Sequence, residues 1–183
     1  MFRPLLRSLS TLPPVPTRTW SVYLSGEIHT SWRSDVIGGS RLRSLPVAFT
    51  SSNPTHSDSD DAGVLIQPHL DSSTRHWYDN AGAKLNLIRT GTLLRAADIV
   101  VSRFDGNSYR QWNAAYESGV ANALSIPVIT LHPEELGHPL KEVNAGALAS
   151  CRSAGEVVDV LAYVTTGAVP EGGEGFVPFA ERG

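Results

Sequence analysis

Short apolar segments alternate along this chain with longer segments of helical spacing, and this alternation restricts the fold more than any other feature. Ile99-Val-Val is a continuous apolar run, which is typical of parallel strands covered on both faces. Strands that alternate with helices form parallel βα units with right-handed crossovers. We therefore expect an α/β fold, a doubly wound five-stranded parallel sheet with helices on both faces. The predicted strands are 21–26, 46–50, 98–103, 127–131 and 147–151, and the predicted helices are 28–45, 80–96, 109–124 and 154–165.

Three segments fit this pattern less well. Gly38-Gly39 is expected to break or loosen the first helix near its middle, because glycine is a poor helix former. Residues 51–63 are rich in Ser, Asp and His, and are predicted to form a polar loop after the second strand. Residues 64–78 show too little periodicity to predict an element.

Both ends of the 183-residue chain differ in composition from its middle. Residues 1–20 contain three arginines, several Ser and Thr, and no acid. Such a leader is typical of an organelle transit peptide, and equally of a disordered extension. Residues 168–183 are rich in Gly and Pro and are predicted to be a disordered tail. One domain over 21–167 remains, in a protein expected to be cytoplasmic or mitochondrial.

Composition also argues against two classes of partner. The net charge is −3 and basic residues do not cluster in the body of the chain, so we expect no nucleic-acid binding. No apolar run approaches the roughly 18–20 residues that a membrane span requires, so no membrane partner is expected. The single cysteine, Cys151, lies in an apolar run and is interpreted as a small core residue.

No cofactor or metal site is predicted. The chain lacks GxGxxG and P-loop motifs, and its histidines include no HxxxH pair or cysteine partner at ligand spacing. The segment from His56 to Asp61 has acids at alternate positions but lacks the glycine and the closing glutamate of a calcium loop. We interpret it as a polar loop of a ligand site, with His56 and Asp60 as candidate substrate-binding residues.

Candidate site residues follow two of the predicted strands. Gly26-Glu27 ends the first strand, and Asp105-Gly106 follows the strand at 98–103. In open α/β sheets, ligands bind in the crevice outside the carboxyl ends of the strands. There, Gly26 allows close backbone approach and Glu27 is placed to bond a ribose hydroxyl. Asp105-Gly106 is also compatible with a simple turn.

Glu117 is the lone acid of the helix that follows Asp105. It is expected at the border of the helix's buried face, where a carboxylate is ordinarily solvated. Its small neighbours leave space for a ligand, and Asn113 is placed to orient the carboxylate. Two acids arranged in this way suit glycosidic-bond chemistry. The residues predicted to form the buried face are Trp112, Ala115, Tyr116, Gly119, Val120 and Ala123.

Several blocks of the sequence resemble the YtoQ family, a branch of the nucleoside 2-deoxyribosyltransferase-like proteins. Together they cover most of residues 21–166, and their combination is specific although each block alone is weak. The blocks are Gly26-Glu-Ile-His29 with Trp32-Arg33, His56-x-x-Ser59-Asp60, Leu87-Ile-Arg89-Thr90, Tyr109-Arg-Gln-Trp-Asn113 and His138-Pro-Leu-Lys-Glu142.

The wider deoxyribosyltransferase pattern is similar over a shorter span. This resemblance implies a flavodoxin-like fold, a homo-oligomer, and the role of nucleophile for Glu117. The matching residues are Ala97-Asp98, Asp105-Gly106, Ala115-Tyr116-Glu117-Ser118-Gly119 and Ile126-Pro127-Val128-Ile129.

Two positions depart from the wider pattern. The family's enzymes carry an acid in the helix before the Ala-Asp strand, where this chain has Arg89-Thr90. The usual Ser/Asp-x-Gly-Thr before the nucleophile helix is replaced by Tyr109-Arg-Gln-Trp-Asn113. These departures concern base recognition and proton delivery.

The resulting hypothesis is N-glycosidic chemistry on a small-molecule nucleoside or nucleotide. Glu117 would attack the anomeric carbon, and Asp105 or Asp60 would handle the proton of the base. No residue pattern separates a transferase from a hydrolase. The alternative is a non-catalytic nucleotide- or metabolite-binding module on the same fold. The side chains predicted to hold a phosphate or a sugar oxygen are Arg89, Arg110 and His29.

Overall fold

The computed structural model describes residues 18–66, 75–106 and 111–170. Five strands and six helices alternate within these ranges, together with two short 3-10 turns at Ala62–Leu65 and Glu134–Leu136. The strands are β1 (Trp20–Ser25), β2 (Val47–Ser51), β3 (Ile99–Arg103), β4 (Val128–Leu131) and β5 (Ala149–Cys151). The helices are α1 (Trp32–Leu42), α2 (His56–Asp61), α3 (Arg75–Arg95), α4 (Trp112–Ala123), α5 (Lys141–Ala145) and α6 (Ala154–Thr166).

The strands form one sheet in the order β2-β1-β3-β4-β5, and every pairing among them is parallel. This is the flavodoxin-like doubly wound order, so the predicted five-stranded α/β fold is confirmed. The order reverses between β1 and β3. From β1 the chain continues to β2 at one edge of the sheet, whereas from β3 it continues to β4 and then to β5 at the other edge. Such a switch point opens a crevice at the carboxyl ends of the two strands.

The sheet is apolar on both faces, because successive side chains of a strand point to opposite sides. Val22 and Leu24 of β1 belong to a core shared with α1 and α6. Tyr23 lies on the opposite face, in a core with Leu94 of α3 and Ala121 of α4. Covering on both faces explains why the strands read as continuous apolar runs.

Helix α1 is continuous from Trp32 to Leu42, so the predicted break at Gly38-Gly39 is wrong. A Cβ atom on Gly39 would lie 3.0 Å from Cγ2 of Val158 in α6. The missing side chain therefore lets the two helices pack closely, and this packing outweighs the low helix propensity of glycine. Residues 28–31, which were also expected to be helical, precede the helix.

The segment predicted as a polar loop contains α2, which is held by contacts with α3. The amide Nδ2 of Asn86 donates to the carbonyl oxygen of Ser59 at 3.1 Å and to its Oγ at 2.9 Å. A Cβ atom on Gly82 would lie 3.1 Å from the same carbonyl oxygen, so the two helices are in close contact. The partners lie far along the chain, and for that reason local composition does not reveal the helix.

The ends of the domain lie close to the predicted boundaries. Strand β1 begins at Trp20, the last residue assigned to the leader. Arg18 stacks on the Trp20 ring with 4.0 Å to the centroid and donates to Asp98 at 3.0 Å. Residues 1–17 and 171–183 lie outside the described residues, so the leader and the tail stay predictions. Cys151 is buried in the core, as expected.

Among the described helices, none has the length and apolar character needed to cross a membrane.

Two glycine substitutions test this description of the backbone. Gly38→Ala should raise the free energy of unfolding by about 0.5–1 kcal/mol, because a Cβ atom in this helical position has open space. Gly26→Ala should lower it by about 1–3 kcal/mol, since Gly26 has a φ of 143° and a Cβ atom would lie 3.0 Å from the carbonyl oxygen of Arg103. Urea denaturation measures both changes, and two effects of the same sign would contradict the description.

Candidate active site

A cavity of about 560 Å³ opens at the switch point between β1 and β3. Its walls are the loop after β1, the loop after β2, helices α2 and α3, and the first turns of α4. No arginine or lysine is among the lining residues in the described part of the chain. The acids and the other polar side chains of interest in its lining are Glu27, His29, Asp60, Asp79, Asn113 and Glu117.

Glu117 lies in the wall of this cavity and is 7% exposed. The hydroxyl of Tyr23 donates to its Oε1 at 3.2 Å, and Oγ of Ser25 donates to its Oε2 at 2.5 Å. Both donors come from β1, where residues two apart share one face of the sheet. The carboxylate is thus held from the sheet side by two buried hydroxyls.

Burial raises the pKa of Glu117 above the usual carboxyl range. The hydrogen bonds from Ser25 and Tyr23 and the positive charge of Arg33 oppose this shift. Burial and the nearby Glu117 charge also raise the pKa of Tyr23, so its hydroxyl remains a donor. A carboxyl with a raised pKa in the wall of a cavity is typical of a functional site.

The buried face of α4 differs from the predicted one. Trp112 and Tyr116 are 72% and 56% exposed, so their predicted core positions are wrong. Small residues instead face the sheet, where Oγ of Ser118 lies 2.8 Å from Oγ of Ser102 in β3. They allow the helix to approach closely and carry Glu117 inward with them. The buried residues of α4 are Ala114, Glu117, Ser118 and Ala121.

Glu27 organises the loop after β1. Its Oε2 accepts hydrogen bonds from the backbone N–H groups of His29 at 2.5 Å and Thr30 at 3.0 Å. Its Oε1 is bonded to the Thr30 hydroxyl and forms an ion pair with Arg103. Although burial acts in the other direction, these hydrogen bonds and the Arg103 charge hold the pKa of Glu27 below its usual range. Both oxygens therefore have partners within the protein, and the ribose contact stays a prediction.

Arg33 was not among the predicted site residues, although it belongs to one of the family-like blocks. Its Nη2 donates to the carbonyl oxygen of Gly26 at 2.8 Å, and its Nη1 bonds the carbonyl oxygen of Glu27. Nε1 of Trp32 donates to the same Glu27 oxygen at 3.0 Å. The first turn of α1 thus fixes the backbone of the loop that forms one wall of the cavity.

Asp105 lies apart from the cavity that contains Glu117. Its Oδ1 accepts from Nε2 of Gln111 at 2.7 Å, and its Oδ2 accepts from Arg103 at 3.2 Å. It borders a smaller hollow of about 330 Å³, together with His132. Asp105 is therefore not in the lining of the Glu117 cavity, although its hydrogen-bond partner Gln111 is.

The remaining predicted residues divide into three groups. Gly26, His29, Asp60 and Asn113 line the cavity with Glu117. Arg89 is exposed and donates from Nη1 to the carbonyl oxygen of Ser51 at 2.8 Å, outside the lining. The side chain of His56 and the whole of Arg110 fall outside the described residues.

Asp79 is an acid of the cavity lining that is not among the predicted site residues. It lies on α3, the helix before the Ala97-Asp98 pair, where a deoxyribosyltransferase-like acid was expected and Arg89-Thr90 was found instead. The helix begins at Arg75, within a segment that showed little periodicity, so Asp79 was not assigned to it. An acid on this helix does therefore face the cavity.

Comparisons with known proteins show the family of this chain. The family model described as nucleoside 2-deoxyribosyltransferase YtoQ matches residues 23–165. The chain belongs to the YtoQ family. The uncharacterised YtoQ protein of Bacillus subtilis strain 168 is 33% identical over 143 residues, which cover 78% of this chain and 95% of that protein.

Two solved structures are also similar to this member of the YtoQ family. A conserved protein from Enterococcus faecalis V583 is 16% identical with a TM-score of 0.50, over 78% of this chain and 97% of that one. A 2-deoxyribosyltransferase from Bacillus psychrosaccharolyticus is 18% identical with a TM-score of 0.47, over 76% of this chain and 90% of that one. At these identities the likeness concerns the fold alone.

Among the described residues of this YtoQ-family chain, no group of three or more His, Cys, Asp or Glu side chains is placed to hold a metal ion.

The raised pKa of Glu117 predicts how stability depends on pH. The folded chain binds this proton more tightly than the unfolded chain does, so the associated stability is present at acidic pH and is lost as pH rises through the folded pKa. Glu117→Gln cannot ionise. The free energy of unfolding of Glu117→Gln minus that of the unmodified protein should therefore increase from about pH 4 to about pH 8.

Chemical denaturation at a series of pH values measures this difference. Glu142→Gln is the control. Glu142 is exposed on α5, so this variant shows how the same substitution changes the free energy of unfolding at a solvent-exposed position. A constant or falling difference for Glu117→Gln would contradict the assignment of Glu117 as a buried carboxyl with a raised pKa.

Proposed function

We propose that this protein cleaves the N-glycosidic bond of a nucleoside or nucleotide, by deoxyribosyl transfer or hydrolysis, with Glu117 as the nucleophile. The observation that carries the proposal is a carboxylate buried in the wall of the switch-point cavity and held from behind by two hydroxyl donors. Membership of a family described as nucleoside 2-deoxyribosyltransferase supports the same chemistry.

The reaction would follow the double displacement of a retaining glycosidase. A lone pair of the Glu117 carboxylate bonds to the anomeric carbon, while the electron pair of the broken C–N bond leaves with the base. The product is a glycosyl ester of Glu117, formed through an oxocarbenium-like transition state. A second base or a water molecule then attacks the same carbon and releases Glu117.

The departing base nitrogen requires a proton from a second group. Asp60 on α2 and Asp79 on α3 both line the cavity and are the candidates for this role. Asp105 is a poorer candidate, because it does not line the cavity and its carboxyl oxygens accept hydrogen bonds from Gln111 and Arg103. General acid–base catalysis of this kind contributes roughly 10²- to 10⁴-fold to a rate.

The lining favours an uncharged nucleoside over a 5′-monophosphate. Carboxyl, amide and hydroxyl groups dominate the polar lining, and no arginine or lysine from the described part of the chain contributes to it. Arg89, predicted to hold a phosphate, has a carbonyl oxygen as its partner instead. A phosphate dianion would face the carboxyl groups of Asp60, Asp79 and Glu117, and no arginine or lysine of the described residues lines the cavity beside them.

Base release tests the proposed function. The protein is incubated with a panel of nucleosides and 5′-monophosphates, with and without a second free base, and the products are separated by chromatography. Glu117→Ala should lower release by roughly three orders of magnitude or more, as expected when a nucleophile is removed. Glu142→Ala on the exposed face of α5 is the matched control.

Other outcomes of this assay are equally informative. Thermal stabilisation by a nucleoside without any base release would favour the non-catalytic binding module. Release that survives Glu117→Ala would contradict the nucleophile. New nucleoside formed only when a second base is present would identify a transferase, and free sugar would identify a hydrolase.

Asp60→Asn and Asp79→Asn identify the proton donor. The variant that lacks the donor should lose roughly 10²- to 10⁴-fold in kcat/KM on an ordinary nucleoside. It should lose much less on a nucleoside whose base leaves without protonation. If each variant loses the same factor in kcat/KM on the ordinary nucleoside as on the nucleoside whose base needs no proton, neither aspartate is the general acid.

The homo-oligomer and the transit role of the leader remain predictions of the sequence. Light scattering of the purified chain tests the first, and import of a fluorescent fusion with and without residues 2–19 tests the second.

A further inference from the structure

We infer that Ser25 is a positioning residue for Glu117: its hydroxyl anchors Oε2 of the carboxylate and leaves Oε1 to make the attack. This inference rests on the proposed function for the role of Glu117. It adds a residue that was not predicted from the sequence, and it assigns different tasks to the two carboxylate oxygens.

The two hydrogen bonds to Glu117 are unequal. Oγ of Ser25 lies 2.5 Å from Oε2, whereas the hydroxyl of Tyr23 lies 3.2 Å from Oε1. Short hydrogen bonds to a charged acceptor are the strong ones. Oε2 is therefore the oxygen with the closer partner, and we assign the attack to Oε1.

Ser25 acts through Glu117 and does not itself line the cavity. It is the last residue of β1, is 0% exposed, and is not among the cavity's lining residues. Its hydroxyl carries one proton, which it donates to Glu117. A substrate would therefore meet Glu117 and not the serine behind it.

The proposed reaction preserves this contact throughout. As a lone pair of Oε1 bonds to the anomeric carbon, the C–N electron pair departs with the base and Oε2 becomes the carbonyl oxygen of the ester. That carbonyl oxygen still accepts the Ser25 hydrogen bond. The carboxylate therefore does not need to rotate between the two half-reactions, so Oε1 stays aligned with the anomeric carbon.

The sheet offers a matched control for Ser25. Ser102 lies opposite it in the β1–β3 register and is equally buried at 0% exposure. Its hydroxyl lies 2.8 Å from that of Ser118, and it has no hydrogen bond to Glu117 among those of the described residues. Ser25→Ala and Ser102→Ala thus remove the same group from neighbouring central strands, but only the first removes a contact with the nucleophile.

The first measurement is steady-state kinetics as a function of pH. Ser25→Ala should lower kcat roughly 10- to 100-fold with KM little changed, which is the loss of one hydrogen bond to a charged group. The acidic limb of its pH–rate profile should move to higher pH, because this hydrogen bond favours the ionised carboxylate. Ser25→Thr, which retains the hydroxyl, should restore most of the rate.

The second measurement does not depend on turnover. The ¹³C resonance of the Glu117 carboxyl, assigned by its absence in Glu117→Gln, is titrated in Ser25→Ala and in Ser102→Ala. Its midpoint should be higher in Ser25→Ala. If Ser25→Ala fails to fold, Ser25→Cys takes its place, since a thiol of similar shape is a weak donor.

The two measurements separate the possible failures. Identical titrations and identical pH–rate profiles in the two alanine variants would overturn the role of Ser25, whatever the enzyme does. Absence of turnover in the unmodified protein would overturn the proposed function, while the titration would still decide whether Ser25 anchors the carboxylate.

Discussion

A carboxylate can be buried in a protein only where hydrogen-bond donors replace water, and this constraint shapes the centre of the structure. Glu117 meets it with two hydroxyls from one face of β1, Tyr23 and Ser25. For these contacts to form, α4 must lie close to the sheet, which requires small residues on its inner face. That requirement explains why Trp112 and Tyr116 are exposed, although hydrophobicity alone would place both side chains in the core. The burial of one acid thus fixes the rotation of a whole helix.

Other acids at the strand ends serve the architecture. Glu27 caps the backbone of the loop after β1 and pairs with Arg103, while Arg103 also pairs with Asp105. This chain of charges runs between the Glu117 cavity and the smaller hollow beside His132. Glu27, predicted to bind substrate, and Asp105, predicted to be catalytic, thus both have hydrogen-bond partners in the loops that follow their strands. What distinguishes Glu117 is a carboxyl in the cavity wall whose partners are neutral hydroxyls.

The sequence predicted the sheet well and the site only in part, for physical reasons. Continuous apolar runs such as Ile99-Val-Val specify buried parallel strands almost independently of context, so all five strands were located. The rotation of α4, the helix α2 and the cavity position of Asp79 depend on contacts between distant residues, such as that of Asn86 with Ser59. Glu117 was predicted from its small neighbours and from the resemblance to a family, whereas hydrophobic periodicity placed it at a solvated border.

The proposed reaction would divide its two chemical tasks between two parts of the fold. The proposed nucleophile, Glu117, belongs to the β1–α4 unit, where buried hydroxyls hold it against the sheet. Asp60 and Asp79 belong to α2 and α3, which are joined by the Asn86–Ser59 hydrogen bonds and both line the cavity. A glycosyl-transfer site needs its nucleophile fixed to within a fraction of an ångström, yet it must accept bases of different outline on the proton-donating side. Under the proposed function, placing the candidate acids on a separate helical pair would meet both needs, because changes in α2 and α3 would alter base selection without disturbing the burial of Glu117.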